Sequence, residues 1–258
     1  MSAEVITAIA GLVASFLSGL LGIGGGLVLT PLLLYVPPIL GGAAIPVKIV
    51  TGLTIVQSLS GSAFGAFRHR SYGNVSSRLV WLMGPPSAVA SLVGAFVSRD
   101  TPDNMILLVF AILAFAGGLM LLLPVTPRDE RAEDVRADPK LAIPIALVLG
   151  FFGGMVGIGG LAFLIAALVY LLRVPPRIAI GSSLGIGLFA ATAALIGKAA
   201  TAQIDPPLAA IVFVSAVVAS PVGAAVSVRT QPRALLAMLA VIVMLAAARI
   251  AFTAVTGT

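Results

Sequence analysis

Six apolar runs, at 46–67, 78–98, 103–124, 178–198, 207–228 and 233–256, constrain the fold more than any other feature. Each is about twenty residues, the length at which a helix rising about 1.5 Å per residue crosses roughly 30 Å of hydrocarbon. With 60% hydrophobic and 9% charged residues among 258, and a mean hydropathy of +1.17, the chain has too little polar surface to face water on all sides. An all-α polytopic membrane protein is predicted.

Two regions resist the one-run, one-crossing reading. Residues 4–36 and 141–172 are too long for a single comfortable span, and each is broken by glycine: "GLLGIGGGLVLTPLLLY" from Gly19 and "GMVGIGGLAFLIAALVY" from Gly154. Glycine weakens a helix by about 1 kcal/mol relative to alanine. The expected pieces 141–154 and 161–172, roughly 18 to 21 Å long, are too short to cross.

The two interruptions belong to a repeat. A shift of 135 carries Gly19, Gly22, Ile23, Gly24, Gly25, Leu29, Leu33 and Tyr35 onto Gly154, Gly157, Ile158, Gly159, Gly160, Leu164, Leu168 and Tyr170. A shift of 129 then carries Ile49 and Gly52 onto Ile178 and Gly181, and "GAFVS" at 94–98 onto "GAAVS" at 223–227. The chain therefore reads as a first membrane repeat (1–124), a charged linker (125–140) and a second membrane repeat (141–258). Each repeat is a glycine-broken hairpin, re-entrant or discontinuous, plus three transmembrane helices.

Charge decides the expected orientation. If each broken region enters and leaves by one face, the interior receives Arg68, Arg70, Arg78, Arg128, Arg131, Arg136, Lys140, Arg173, Arg177, Arg229 and Arg233, leaving Lys48, Arg99, Lys198 and Arg249 outside, 11 to 4. If each crosses once, the split falls to 9 to 6. Lys and Arg in short loops favour the cytoplasm, so the first arrangement is expected: inverted repeats, both termini outside and the linker cytoplasmic. On this reading Lys48 and Lys198 snorkel at the outer surface, and His69 is a solvated residue of an inner loop. The N-terminal "MSAEVITAIA" carries Glu4 and no basic residue, so no cleavable signal peptide is expected.

Irregular backbone at membrane depth is tolerated where it is buried in protein or lines a wet cavity. The interruptions are thus expected to bring two half-helix ends together near the midplane, where bare N–H groups and a partial positive charge suit an anion. Inverted repeats with broken helices meeting at a central site are a recurrent transporter plan. The helices are expected to restart at about Gly26 and Leu161. All nine carboxylates fall in loops or at segment ends, which disfavours cation transport. The spans carry neutral donors instead, among them Thr51, Thr54, Gln57, Ser58, Ser182 and Ser183. Thr51, Thr54 and Ser58 share a helix face, and Gln57 donates two hydrogen bonds. Ser and Thr in such spans also bond their own helix backbone or a neighbouring helix. "GSAFG" at 61–65 and "GSSLG" at 181–185 suit close helix packing.

Other chemistries fit poorly. The absence of cysteine excludes disulfides and thiolate sites. The net charge of +6 is spread singly over short loops, so no nucleic-acid partner is expected. "GIGGLA" at 157–162 has the letters of a dinucleotide-binding loop but neither the strand context nor the following acid. Neither a cofactor nor a metal site is expected, and no nucleophile–base pair suggests an enzyme.

The paired motifs, each followed by a small Ser/Thr-bearing helix ("VTGLTIVQSLSGSAFGAF" and "AIGSSLGIGLFAATAAL"), resemble the TauE/SafE sulfite exporters, also called the toluene sulfonate uptake permeases. The resemblance covers nearly the whole chain. It implies a multi-pass carrier of the bacterial inner membrane for sulfite, sulfonates or related organic anions, without a cofactor. It also implies a substrate site at Gly24, Gly25, Gly26, Gly159 and Gly160 with the polar residues of the following helices. Leu161 stands where the first copy has Gly26, and Ala166 where it has Pro31, so the half-sites are unequal. A membrane potential negative inside drives anions outward by about 2.3 kcal/mol per charge per 100 mV, which favours export without a coupling ion. A passive anion channel and a proton-coupled importer are the alternatives. The oligomeric state stays open, a homo-oligomer being compatible with the sequence.

Overall fold

The computed structural model describes residues 3–21, 25–121, 131–158, 161–227 and 229–256. Among them there is no strand. The helices are α1 (Ala3–Leu21), α2 (Gly26–Ile39), α3 (Val47–Ser71), α4 (Ser77–Val97), α5 (Asp103–Leu121), α6 (Pro139–Val156), α7 (Leu161–Ala166), α8 (Pro176–Ala200), α9 (Pro206–Ser227) and α10 (Pro232–Thr256). A π-helical turn, Ala167–Leu171, prolongs α7.

The six expected spans become α3, α4, α5, α8, α9 and α10, their ends moving by four residues at most. Among the described residues, seven helices are long and apolar enough to cross a membrane: α1, α3, α4, α5, α6, α8 and α9. This corrects the expectation that 141–154 is too short. Asp138 accepts a hydrogen bond from the Lys140 amide (2.9 Å) and Pro139 opens the first turn, so α6 starts early. It then runs to Val156, 18 residues in all, before Gly157 (φ 86°) stops it in the left-handed region. The limbs after the interruptions stay short: α2 has 14 residues, and α7 with its π turn ends at Leu171.

Outward faces are apolar. Trp81, Ile112, Val214 and Leu245 are each more than half exposed, a surface suited to lipid. Inside, helices approach closely wherever glycine removes the side chain, and the contacts come in pairs. A Cβ on Gly19 would lie 1.9 Å from the Ser220 carbonyl oxygen, and one on Gly154 2.1 Å from that of Ser91. Gly94 meets the Phe151 carbonyl as Gly223 meets that of Phe16, and Gly52 meets that of Gln203 as Gly181 meets that of Asn74. Each pair is related by the shifts of 135 and 129 found in the sequence. Thus α1 packs on α9 and α6 on α4, the first limb of each interruption lying against the other half. Close packing at "GSAFG" and "GSSLG" is observed too: Gly65 abuts Leu184, and Gly185 abuts Val80. Because the start of α3 meets the end of α8 and the converse holds, these central helices run antiparallel.

Candidate functional site: two helix interruptions on the central helix pair

The helices restart at Gly26 and Leu161. Gly22, Ile23, Gly24, Gly159 and Gly160 lie outside the described residues, so the predicted site is seen through Gly25, Gly26, Gly157 and Ile158. Gly25 has φ 72° and precedes α2 without any side-chain cap. Its carbonyl accepts from the Val28 and Leu29 amides (3.0 and 2.9 Å), and the Thr30 hydroxyl donates to the Gly26 carbonyl (2.7 Å). The start of α2 is therefore a true helix N-terminus, with its partial positive charge inside the protein.

The interruptions touch each other and α3. A Cβ on Gly26 would sit 3.0 Å from Ile158 Cα and 3.1 Å from Ser58 Oγ; one on Gly25 would sit 2.0 Å from Gln57 Nε2. Gln57 and Ser58 are fully buried. The Gln57 amide nitrogen donates to Ser15 Oγ (3.3 Å), whereas Gln57 Oε1 and Ser58 Oγ have no hydrogen-bond partner. Buried polar atoms of this kind are uncommon, because each forfeits its hydration without replacement. Two unsatisfied atoms thus lie beside an uncapped helix start.

The other predicted side chains have hydrogen-bond partners of their own. Thr54 Oγ1 donates to the Thr51 carbonyl (3.0 Å), and Ser183 Oγ to the Ile180 carbonyl (2.8 Å). Ser182 Oγ accepts from the Ser76 amide (2.9 Å), tying the α3–α4 turn to α8. Thr51 Oγ1 donates to the Lys48 carbonyl (2.8 Å) and accepts from Lys198. So Gly25, Gly26, Gln57 and Ser58 converge at the interruptions, Thr51 lies against Gly157, and Ser182 serves an inter-helix contact.

Two expectations are overturned. Lys198 does not snorkel: it is 0% exposed, and its ammonium donates to Ser98 Oγ (2.7 Å), Gln203 Oε1 (2.8 Å), Thr51 Oγ1 (2.9 Å) and the Met155 carbonyl (3.2 Å). The four oxygens are neutral, and they draw the charge inward to the last turn of α6, where helix carbonyls carry partial negative charge. His69 is not a solvated loop residue either. The end of α3 extends past it, leaving it 2% exposed with Nε2 3.4 Å from the Gly19 carbonyl, in the last turn of α1, and Nδ1 without a partner.

These two basic residues were missed as a pair although the repeat contains the signal. The shift of 129 carries His69 onto Lys198, Lys48 onto Arg177, Asn74 onto Gln203 and Ser98 onto Ser227. Asn74, Arg177 and Ser227 line the small pocket around His69. A separate cavity of about 350 Å³ between α3, α4 and α8 is lined by Phe67, Arg70, Trp81 and Phe189 and includes none of the predicted residues. Among the described residues no His, Cys, Asp or Glu cluster could hold a metal ion.

A helical chain with this many membrane-crossing segments and polar atoms gathered at broken helices defines a multi-pass membrane protein of transporter type. Residues 7–250 match the family described as Sulfite exporter TauE/SafE, and the chain belongs to that family. It is 25% identical over 268 residues to the "Probable membrane transporter protein YunE" of Bacillus subtilis, covering 93% of this chain and 94% of that one. A "Probable membrane transporter protein" of Xylella fastidiosa strain Temecula1 is 30% identical over 188 residues, 72% of this chain and 70% of its own. Another, from Methanocaldococcus jannaschii, is 24% identical over 248 residues, 90% and 89% of the two chains. No solved structure matches the chain.

Proposed function

We propose that this membrane transporter exports a small sulfur-containing anion, such as sulfite or an organosulfonate, by alternating access, binding it at the N-terminus of α2. The observation that carries the reading is the convergence of the uncapped helix start at Gly25 and Gly26 with Gln57 and Ser58, two buried side chains that each hold an unpartnered oxygen. Gln57 turned about its last bond offers an amide N–H to an oxyanion, and Ser58 a hydroxyl. Neutral donors and a helix dipole hold an anion without an ion pair, which suits a carrier that must release it. The site on this reading comprises Gly24, Gly25, Gly26, Gly159, Gly160, Thr51, Thr54, Gln57, Ser182 and Ser183, with Ser58 added.

The repeats 1–124 and 141–258 are read as inverted halves joined by a cytoplasmic linker at 125–140. The paired glycine contacts support this, and so does the grouping of basic residues. Lys48 donates to the Arg99 carbonyl and lies near Lys198, while Arg249 stacks 4.5 Å from the Tyr35 ring. At the opposite end of the antiparallel pair, Arg177 donates to the Thr230 carbonyl (3.2 Å) close to His69. The second group gathers the loops richer in Arg, which favours the inner face of a bacterial plasma membrane for it. Outward anion movement down the membrane potential then needs no coupling ion.

The test is uptake by proteoliposomes containing the purified protein, comparing radiolabelled sulfite, methanesulfonate and acetate. Saturable flux of a sulfur oxyanion, accelerated by a potential that draws anions, supports the proposal. Saturable acetate flux without sulfite or sulfonate flux contradicts the substrate class, and flux that never saturates contradicts a carrier.

A further inference from the structure

We propose that Lys198 and His69 are two equivalent basic stations, one toward each membrane face, that contact the transported anion in turn as it enters and leaves the central site. The inference rests on the anion-carrier reading above and adds residues to it.

The equivalence is structural. Lys198 lies near the end of α8 and bonds the Met155 carbonyl in the last turn of α6; His69 lies near the end of α3 and approaches the Gly19 carbonyl in the last turn of α1. Each basic side chain thus sits where the first limb of an interrupted region ends. The flanking groups correspond as well: Gln203, Ser98 and Thr51 around Lys198 answer to Asn74, Ser227 and Ile180 around His69. Each station faces a second basic residue, Lys48 beside Lys198 and Arg177 beside His69. Among the described residues, no carboxylate stands within hydrogen-bonding reach of Lys198 or His69 in the structure.

Lys198, a buried basic group with only neutral partners, leaves positive charge uncompensated, and an intramembrane charge of this kind marks a substrate path; His69 offers a ring N–H at the corresponding place. The bonding makes each station able to exchange partners. An ammonium has three protons, but Lys198 faces four oxygens, so one acceptor is always in surplus and an anion oxygen can replace it. The His69 ring has a buried nitrogen with no partner, and its one contact is long at 3.4 Å. Because α3 and α8 are antiparallel, the stations fall at opposite ends of the central pair, with Gln57 and the interruptions between them. An anion moving along this pair meets a basic side chain on each side of the central site.

The experiment measures the KM for radiolabelled sulfite from each face, using full-length protein in right-side-out and inside-out vesicles. Lys198→Gln is expected to raise KM at least tenfold from the face bearing Lys48 and Arg99, and less than twofold from the other. His69→Gln is expected to do the reverse. Lys198→Arg keeps a cation in place and His69→Arg keeps an N–H donor, and both are expected to stay within about threefold of the wild type, which separates the contact with the anion from folding. KM changes of equal size from both faces, unchanged KM in both Gln variants, or equal losses in the Gln and Arg variants would overturn the stations while leaving wild-type flux intact. Wild-type protein that carries neither sulfite nor methanesulfonate in the same vesicles refutes the anion-carrier reading, and the stations with it.

Discussion

Replacing Gly25 by alanine tests the binding site at its tightest point. The new methyl would lie 2.0 Å from Gln57 Nε2, 2.6 Å from Gln57 Cδ and 3.0 Å from the Ala14 carbonyl. The Gln57 amide, at the end of a flexible side chain, must swing away and abandon Ser15. Two costs follow, and they fall on different observables. At φ 72° an L-residue is disfavoured by about 1–2 kcal/mol; free and occupied protein share this strain, so it lowers thermal stability and leaves affinity alone. Losing a Gln57 hydrogen bond to a charged ligand costs about 1.5–3 kcal/mol, roughly a ten- to hundredfold rise in KM. The assay pairs thermal unfolding in detergent with concentration-dependent sulfite uptake by proteoliposomes. Gln57→Leu is expected to give a similar rise, and the double variant no more than the larger single effect, because both remove one interaction. A Gly25→Ala protein that is destabilised but keeps the wild-type KM would refute the placement of Gln57 at the anion. Gly25→Leu is the poorer probe, since its bulk would also press on the Ala14 carbonyl, and lost transport would not separate binding from misfolding.

Other substitutions separate packing from binding. Gly52→Ala would bring a Cβ to 1.8 Å from the Gln203 carbonyl oxygen, a backbone atom that cannot step aside, and is expected to cost about 1–3 kcal/mol by overpacking, read as a lower unfolding temperature. Ser182→Ala strands the buried Ser76 amide and is expected to cost about 1–3 kcal/mol, read as a lower unfolding temperature. Thr192→Val removes an exposed hydroxyl that bonds only the Leu188 carbonyl of its own helix, and is expected to change stability by no more than about 0.5 kcal/mol with uptake kinetics unaltered.

The sequence disclosed the helices because their signal is local. About twenty apolar residues between charges leave the chain little choice in a bilayer, so α3, α4, α5, α8, α9 and α10 emerged within a few residues. The interruptions were legible for the same reason, glycine being the residue that tolerates φ 72° and φ 86°. The length of α6 was less so: hydropathy fades at Pro139 and Lys140, while the Asp138 cap that extends the helix is a side-chain contact. The greatest miss was Lys198. A lysine near the end of an apolar run reads as a snorkelling residue, and its burial by Thr51, Ser98 and the Met155 carbonyl, completed by nearby Gln203, depends on three segments distant in sequence. His69 was misread similarly, because its Arg neighbours face outward while the ring turns toward α1. Aligning the halves on basic residues as well as on small ones would have paired the two.

The most direct measurement is the position of the bound anion in an experimental structure, obtained with selenite as a strongly scattering analogue of sulfite. The account predicts selenium density against the Gly25 and Gly26 amides and within hydrogen-bonding reach of Gln57, with α2 beginning there. Density confined to the outer loops, or a chain running as unbroken helix from α1 into α2, would contradict it.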